Sequence, residues 1–304
     1  MVITGVNGFI GRHAKEYFEK EYEITGLDLA ANYSGEREPD DTMTYYQCNM
    51  SQESAEMAAI FTGVQPDVIL HCAGSANVGA SVVNPMADLD GNLHSLYQLL
   101  LALKSFEKRP EIIFLSSAGV YGNPRQLPVR ESDVAAPMSP YGLHKHMGEE
   151  LCEYYNRIHG YHIRSIRIFS AYGNGLRKQL LWDIYQKYQN TGRIELFGTG
   201  EETRDFIHVS DIMRAIDLIL SYDGPETVIN VANGEEVSIR ELAEIYAEKL
   251  GARQNIVSFN GAVKEGDPRN WRADISLLRK LGYEKQMELS DGIAAYVDWA
   301  KAQD

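Results

Sequence analysis

The chain is poor in the features that mark secreted, membrane-spanning, metal-holding or nucleic-acid-binding proteins. Its three cysteines, Cys48, Cys72 and Cys152, show neither metal-ligand spacing nor a pairing pattern. They read as small buried apolar side chains in a reducing compartment. No apolar run approaches the roughly 18 residues that cross a bilayer. No basic, apolar, small-residue signal segment opens the sequence, so a cytoplasmic location is expected. Positive charge is scarce: Lys+Arg 29 against Asp+Glu 43 gives a formal charge of −14. That balance argues against a nucleic-acid footprint, yet leaves room for a small anionic substrate held by local arginines. The eight histidines are scattered. His144 and His146 flank Lys145, but residues two apart on a helix do not converge, so both read as surface residues and no metal site is expected. Internal repeats and low-complexity linkers are missing too. What is present, 44% hydrophobic and 24% charged residues, is ordinary for a globular enzyme.

The first half alternates short apolar strands with longer helical patterns. Strands are expected over 2–4, 23–28, 68–72 and 112–116, and helices over 10–20 and 93–106. Such alternation implies right-handed crossovers and a parallel sheet. A further helix over 141–159 leads into a strand over 163–169. Beyond about residue 174 the pattern turns to irregular loops rich in Gly, Asn and Arg, with helices expected over 239–250, 275–281 and 292–301. The strand at 228–232 and the run 205–209 are candidates to return to the first sheet. The fold expected is α/β: a Rossmann-type doubly wound parallel sheet with a smaller C-terminal α/β substrate-binding domain. The division expected is 1–173 for the dinucleotide-binding part, with about 205–235 returning to it, and 174–304 mainly for the substrate.

Thr4-Gly5-Val6-Asn7-Gly8-Phe9-Ile10-Gly11 is a Gly-x-x-Gly-x-x-Gly turn between the first strand and first helix. Glycines there allow a tight turn, and the helix N-terminus presents N–H groups to a pyrophosphate. Asp28 closes the second strand about twenty residues on, where a carboxylate accepts from an adenosine ribose and repels a 2′-phosphate. No Arg or Lys stands between Asp28 and Arg37, which favours NAD over NADP. Tyr141 and Lys145 lie four apart on the helix expected at 141–159, so ammonium and phenol share a face. A nearby positive charge favours phenolate, making the Tyr usable as base and acid. Alone such a pair is a weak signal. Ser116-Ser117-Ala118-Gly119-Val120-Tyr121-Gly122 upstream adds hydroxyls beside it.

Taken with His71-Cys72-Ala73-Gly74 and Arg204-Asp205-Phe206-Ile207-His208-Val209-Ser210-Asp211, these motifs resemble an extended short-chain dehydrogenase/reductase of the nucleotide-sugar epimerase/dehydratase/reductase branch. Gly266-Asp267-Pro268 and Ala273-Asp274 fit as well, and the resemblance covers almost the whole length. It implies that Ser117, Tyr141 and Lys145 are catalytic: Ser117 hydrogen-bonds the reacting sugar oxygen, Tyr141 takes or gives its proton, and Lys145 holds the nicotinamide ribose and lowers the Tyr pKa. Such a set suits hydride transfer between a carbinol carbon and nicotinamide. Gly5, Asn7, Gly8, Phe9, Ile10, Gly11, Asp28, Asn49, Met50, Ala73 and Gly74 then join Tyr141 and Lys145 around NAD. Ser81, Ser117, Ser170, Arg204, Lys264 and Asp267 are expected at a nucleotide-diphosphate sugar. Arg204 would meet the diphosphate, a dianion that suits a guanidinium fork.

Three departures bear on the subfamily. Where dehydratases of this branch carry an acidic pair after the catalytic hydroxyl, the chain has Ala118-Gly119, which argues against elimination of water. Ser170 stands where relatives place a diphosphate-contacting Asn, and Asn49 replaces an Asp near adenine. The leading expectation is a nucleotide-sugar 4-epimerase working through a transient 4-keto sugar. A 4-keto-6-deoxy-sugar reductase is the alternative, and a non-catalytic dinucleotide-binding protein a third. The resemblance further implies a homodimer, formed by the helices over 93–106 and 141–159, and a place in polysaccharide precursor synthesis.

Overall fold

The computed structural model describes residues 1–34, 43–52, 54–106, 108–253, 255–262, 266 and 268–303. Its chain begins β1 (Val2–Thr4), α1 (Phe9–Phe18), β2 (Ile24–Asp28), β3 (Met43–Gln47), α2 (Ser54–Val64) and β4 (Val68–His71). Two short helices follow, α3 (Val78–Val83) and α4 (Pro85–Leu89). A π-helical turn over Asp90–His94 then enters α5 (Ser95–Ala102), β5 (Glu111–Ser117), a 3₁₀ turn (Ala118–Tyr121) and the long α6 (Pro140–His159). β6 (His162–Ile168), β7 (Ser170–Tyr172), α7 (Gln179–Thr191), β8 (Ile194–Leu196), β9 (Thr203–Arg204), β10 (Phe206–His208) and α8 (Val209–Leu220) come next. The chain closes with β11 (Val228–Val231), β12 (Val237–Ser238), α9 (Ile239–Leu250), β13 (Val257–Phe259), α10 (Ser276–Lys280) and α11 (Leu289–Lys301).

Seven strands form one parallel sheet in the order β3-β2-β1-β4-β5-β6-β11. The winding reverses between β1 and β4, which opens a crevice at their carboxyl ends. Strands such as Val-Ile-Thr and Val-Ile-Leu-His are buried along their whole length, as expected when helices cover both faces. Two apolar clusters flank the sheet. A third gathers α7, α9, α11 and the strands β8 and β10 around Tyr185, Tyr246 and Tyr296.

Several elements depart from the pattern read in the sequence. The strand at 228–231 does join the main sheet, beside β6. The run after Asp205 instead pairs with β7 as a separate two-stranded ribbon, because β6 already has β11 on its open edge. The helix expected over 93–106 is shorter, since a π-helical turn replaces its start. β3, α2, α7 and α8 were not anticipated. The region beyond 174 is thus more regular than its polar composition suggests, and α8 buries Ile212, Met213, Ala215, Ile216 and Ile219 against the first cluster.

Candidate active site at the switch point

At the crevice, the turn after β1 meets the end of β4. Gly5 holds φ +65°, and a Cβ there would stand 2.7 Å from the Ala73 nitrogen. A Cβ on Gly11 would strike the Gly5 carbonyl at 2.3 Å, so both positions require glycine. Thr4 clamps the other side: its Oγ1 lies 2.9 Å from His71 Nδ1 and accepts from the Ala73 N–H at 3.2 Å. No side chain caps α1, which leaves its first N–H groups facing the crevice for an anion. Asp28 Oδ2 accepts from the Asn7 N–H at 2.9 Å. The Asn7 side chain in turn donates to the Asn32 carbonyl and accepts from Ser34, fixing the loop beyond β2. Cys48 donates to the Asp28 carbonyl, which brings Asn49 and buried Met50 alongside; Asn49 Oδ1 itself accepts from Ser51. Phe9 and Ile10 are half-buried at the start of α1, Phe9 edge-on to His13. The arrangement fits a dinucleotide: a closed glycine turn, uncapped helical N–H groups and a carboxylate at the end of β2.

On the other side of the crevice, Ser117 ends β5 and caps the 3₁₀ turn, its Oγ accepting from the Gly119 N–H at 3.1 Å. α6 begins opposite. Ser139 accepts from Gly142 as its N-cap, Pro140 occupies the first turn, and Gly160 in the left-handed region closes it, as helix-capping chemistry dictates. The two elements touch through small residues: a Cβ on Gly142 would sit 2.4 Å from the Gly119 carbonyl. That contact sets the Tyr141 ring beside Ser117. Burial pushes the Tyr141 phenol up to about 12, the Ser117 hydroxyl pulls it down and Asp88 adds to the rise. Lys145 is buried with its ammonium 5.0 Å over the Phe114 ring. Burial draws it down to about 8, opposed first by Asp88. The lowering of the Tyr141 pKa expected from Lys145 is therefore not what governs the phenol here; loss of hydration outweighs it.

The expected substrate residues part company. Ser81 is 1% exposed; its hydroxyl donates to the Val78 carbonyl and accepts from the Tyr141 N–H at 3.1 Å. It therefore faces α6 rather than an open cleft. Ser170 lies on β7, its N–H bonded to the Asp205 carbonyl. Arg204 donates to the carbonyls of Thr203 and Arg269 and stacks over Trp271 at 5.3 Å. The segment Arg269–Trp271 is tied to the 3₁₀ turn, with Arg269 N donating to Asn123 and Trp271 Nε1 to the Gly122 carbonyl. Arg204 is thus carried toward the end of β5. Buried Asp205 holds that segment from below by accepting from Ala273, Asn233 and Gly234. Lys264 and Asp267 lie outside the described residues.

Three neighbours of the site escaped the sequence reading. Asn92 is fully buried with both amide atoms unpartnered, and a Cβ on Gly74 would lie 2.5 Å from its Oδ1. The π-helical turn is what aims Asn92 inward. His144, read as a surface residue, is buried against Asp88. Its phase, three after Tyr141, was the available signal. Among the described residues no group of three or more His, Cys, Asp or Glu could hold a metal, and no helix is long and apolar enough to cross a membrane.

The strand order and the crevice beside the glycine turn define an α/β fold of the dinucleotide-binding class. Residues 1–232 match the profile of the NAD dependent epimerase/dehydratase family, and the chain belongs to it; its cofactor is NAD. A putative UDP-glucose 4-epimerase of Methanocaldococcus jannaschii is 30% identical over 99% of this chain and 98% of its own. Among solved structures, the UDP-glucuronic acid 4-epimerase of Bacillus cereus, in complex with UDP-glucuronic acid and NAD, is 26% identical with TM-score 0.90, covering 100% of this chain and 99% of the other. The UDP-glucose 4-epimerase of Thermotoga maritima, with UDP-glucose, is 25% identical with TM-score 0.90, covering 99% and 98%.

Proposed function

We propose that the protein is a UDP-sugar 4-epimerase, and the observation that carries this is the placement of Ser117 and Tyr141 together at the carboxyl end of β5, across the switch point from the glycine turn. The glycine turn and first N–H groups of α1 would hold the NAD pyrophosphate, Asp28 a ribose hydroxyl, and Asn49 and Met50 the adenine end. Ala73, Gly74 and Lys145 would line the nicotinamide half. NAD, when bound, supplies the acceptor and later the donor of the hydride at sugar C4.

The chain's own residues manage the proton. Tyr141 takes it from the 4-hydroxyl as that carbon is oxidised, and returns it after the 4-keto sugar has presented its other face. Ser117 hydrogen-bonds the same oxygen and keeps it within reach. A phenol raised by burial needs cationic charge nearby to act as base; Lys145, one turn along α6, would supply it together with NAD when bound. Arg204 would bind the diphosphate, with Ser170 beside it. Ala118 and Gly119 offer no acid or base to eliminate water, so the keto sugar persists until it is reduced again. We further propose that residues 1–173, with the segment around 205–235, hold NAD, and that 174–304 mainly hold the sugar nucleotide.

The test begins with denaturing the purified protein and identifying the released nucleotide by mass spectrometry, where NAD is expected. A panel of UDP-hexoses and UDP-hexuronates is then followed by NMR for inversion at C4 in deuterated water. Inversion with the original C4 hydrogen retained supports the proposal. Deuterium entering C4 sinks the internal-hydride route, and an empty protein that consumes NADPH on a 4-keto sugar moves the assignment to a reductase.

A further inference from the structure

Behind the first turns of α6 lie the short helices α3 and α4, and from α4 a carboxylate enters the protein interior. Asp88 is 3% exposed. Its Oδ2 is 2.7 Å from His144 Nδ1, and its Oδ1 is buried without a partner. His144 lies three residues after Tyr141 and one before Lys145, so the pair flanks the face that carries both.

Among the described residues, four charged or titratable groups lead those that act to keep Lys145 protonated. Asp88 comes from α4, Cys72 from just past β4, and Glu149 and Cys152 from α6 itself; His71 on β4 feels Lys145 in return. The Ser117 hydroxyl and the charge of Asp88 act on Tyr141, and α4 packs directly on α6 through the Asp88–His144 bond. Of the two carboxylates, Glu149 is already engaged: it accepts two bonds from Arg167, at 2.9 and 2.7 Å, and one from Ser116 at 2.5 Å. Asp88 alone retains an unengaged oxygen among these groups.

We propose that Asp88, held in place by His144, is a positioning residue that sets the charge states of Tyr141 and Lys145 together, keeping Lys145 an ammonium in a buried site. The inference rests on the reading of Tyr141 and Lys145 as the catalytic pair. A buried carboxylate favours protonation of every titrating neighbour. It opposes the effect of burial on Lys145 and reinforces it on Tyr141. Removing the charge therefore has the same sign at both residues, and a bell-shaped profile moves as a whole toward acid.

The experiment measures kcat/KM against pH for the NAD-loaded wild type, Asp88→Asn, Asp88→Glu and His144→Gln, together with NAD content and melting midpoint. In Asp88→Asn both limbs are expected to fall by about one pH unit, which on the alkaline limb is roughly a tenfold loss of rate, with KM little changed. Asp88→Glu returns the limbs to their wild-type positions, and His144→Gln, which keeps a donor for the carboxylate, leaves them there. A stability readout needs no substrate. The folded-state pKa of Lys145, about 8, lies below the ordinary lysine value of 10.5, so its ammonium costs stability below about pH 8, and the cost is relieved as pH rises. Asp88→Asn deepens that cost, so its melting deficit should shrink from neutral pH toward pH 10. An equal loss of rate at every pH, or a melting deficit independent of pH, would overturn the proposal and leave Asp88 a packing residue. Should the wild type invert no sugar, the melting series still decides whether Asp88 acts on Lys145. Asp88→Ser replaces Asp88→Asn if the latter does not fold.

Discussion

Tyr141 as folded, without its cofactor, is a poor base. Its phenol sits at about 12, so near neutrality it is a hydrogen-bond donor and becomes a proton acceptor only when cationic charge arrives beside it. Phe at this position keeps the ring and loses the proton. Turnover is expected to drop by about 10²–10⁴, with NAD content and melting midpoint unchanged; a Tyr141→Phe protein that inverts sugars at the wild-type rate would remove the proposed mechanism. Lys145 sets the alkaline edge. Because burial brings it to about 8, its ammonium is lost above that pH; once the charge of bound NAD has drawn the phenol below that value, the wild-type kcat/KM should decline there rather than near the ordinary lysine value. Ser117, Tyr141, Lys145 and the glycines were legible because each motif is confined to one strand end or one helix turn. Asp88 and Asn92 were not, nor was the contact that Ser81 makes with Tyr141. Ser81 meets Tyr141 across 60 positions and Asp88 meets His144 across 56, and no spacing rule reaches that far.

Among the elements, α6 carries most of what the sequence announced. Its Ser139 cap, Pro140 and Gly160 bound it, and its Tyr-x-x-x-Lys face follows from helical geometry alone. What fixes its rotation on the sheet was hidden. Glu149 reaches into the interior, where Arg167 of β6 grips it in a fork and Ser116 of β5 donates to the same carboxylate, while the guanidinium lies 4.6 Å over the Tyr121 ring. Arg167→Met leaves Glu149 buried and unpaired, and should cost about 3–5 kcal/mol in denaturant unfolding. Adding Glu149→Leu removes the stranded charge and should recover much of that loss. A double variant as unstable as the single would show that the pair is not the source. The π-helical turn and the β10–β7 ribbon were illegible for another reason: each is chosen by packing partners rather than by its own residues.

At the scale of the whole molecule, the described residues include an unpartnered apolar face on the back of this same helix. Leu143, Met147, Tyr154 and Ile158 of α6 are each more than two-fifths exposed, and Tyr97 of α5 stands beside Tyr155 at 6.5 Å between ring centroids. Spacings of 4, 7 and 4 along α6 keep the four residues in one stripe. A chain of net charge −14 gains little from leaving such a stripe in water. Pairing with a second copy would bury it against the equivalent α5 and α6, as a two-fold interface requires, and this is the homodimer we propose. Light scattering on the wild type should give twice the chain mass. Leu143→Glu with Ile158→Glu places charges at both ends of the stripe and should give the single mass. Because Leu143 lies between Tyr141 and Lys145 on one helical turn, loosening that surface should also loosen the site. The monomeric variant is therefore expected to lose activity and melt at lower temperature, whereas Val134→Glu, at an exposed apolar residue outside α5 and α6, should do neither. A wild type of single mass, or a variant that stays at double mass, would place the interface elsewhere.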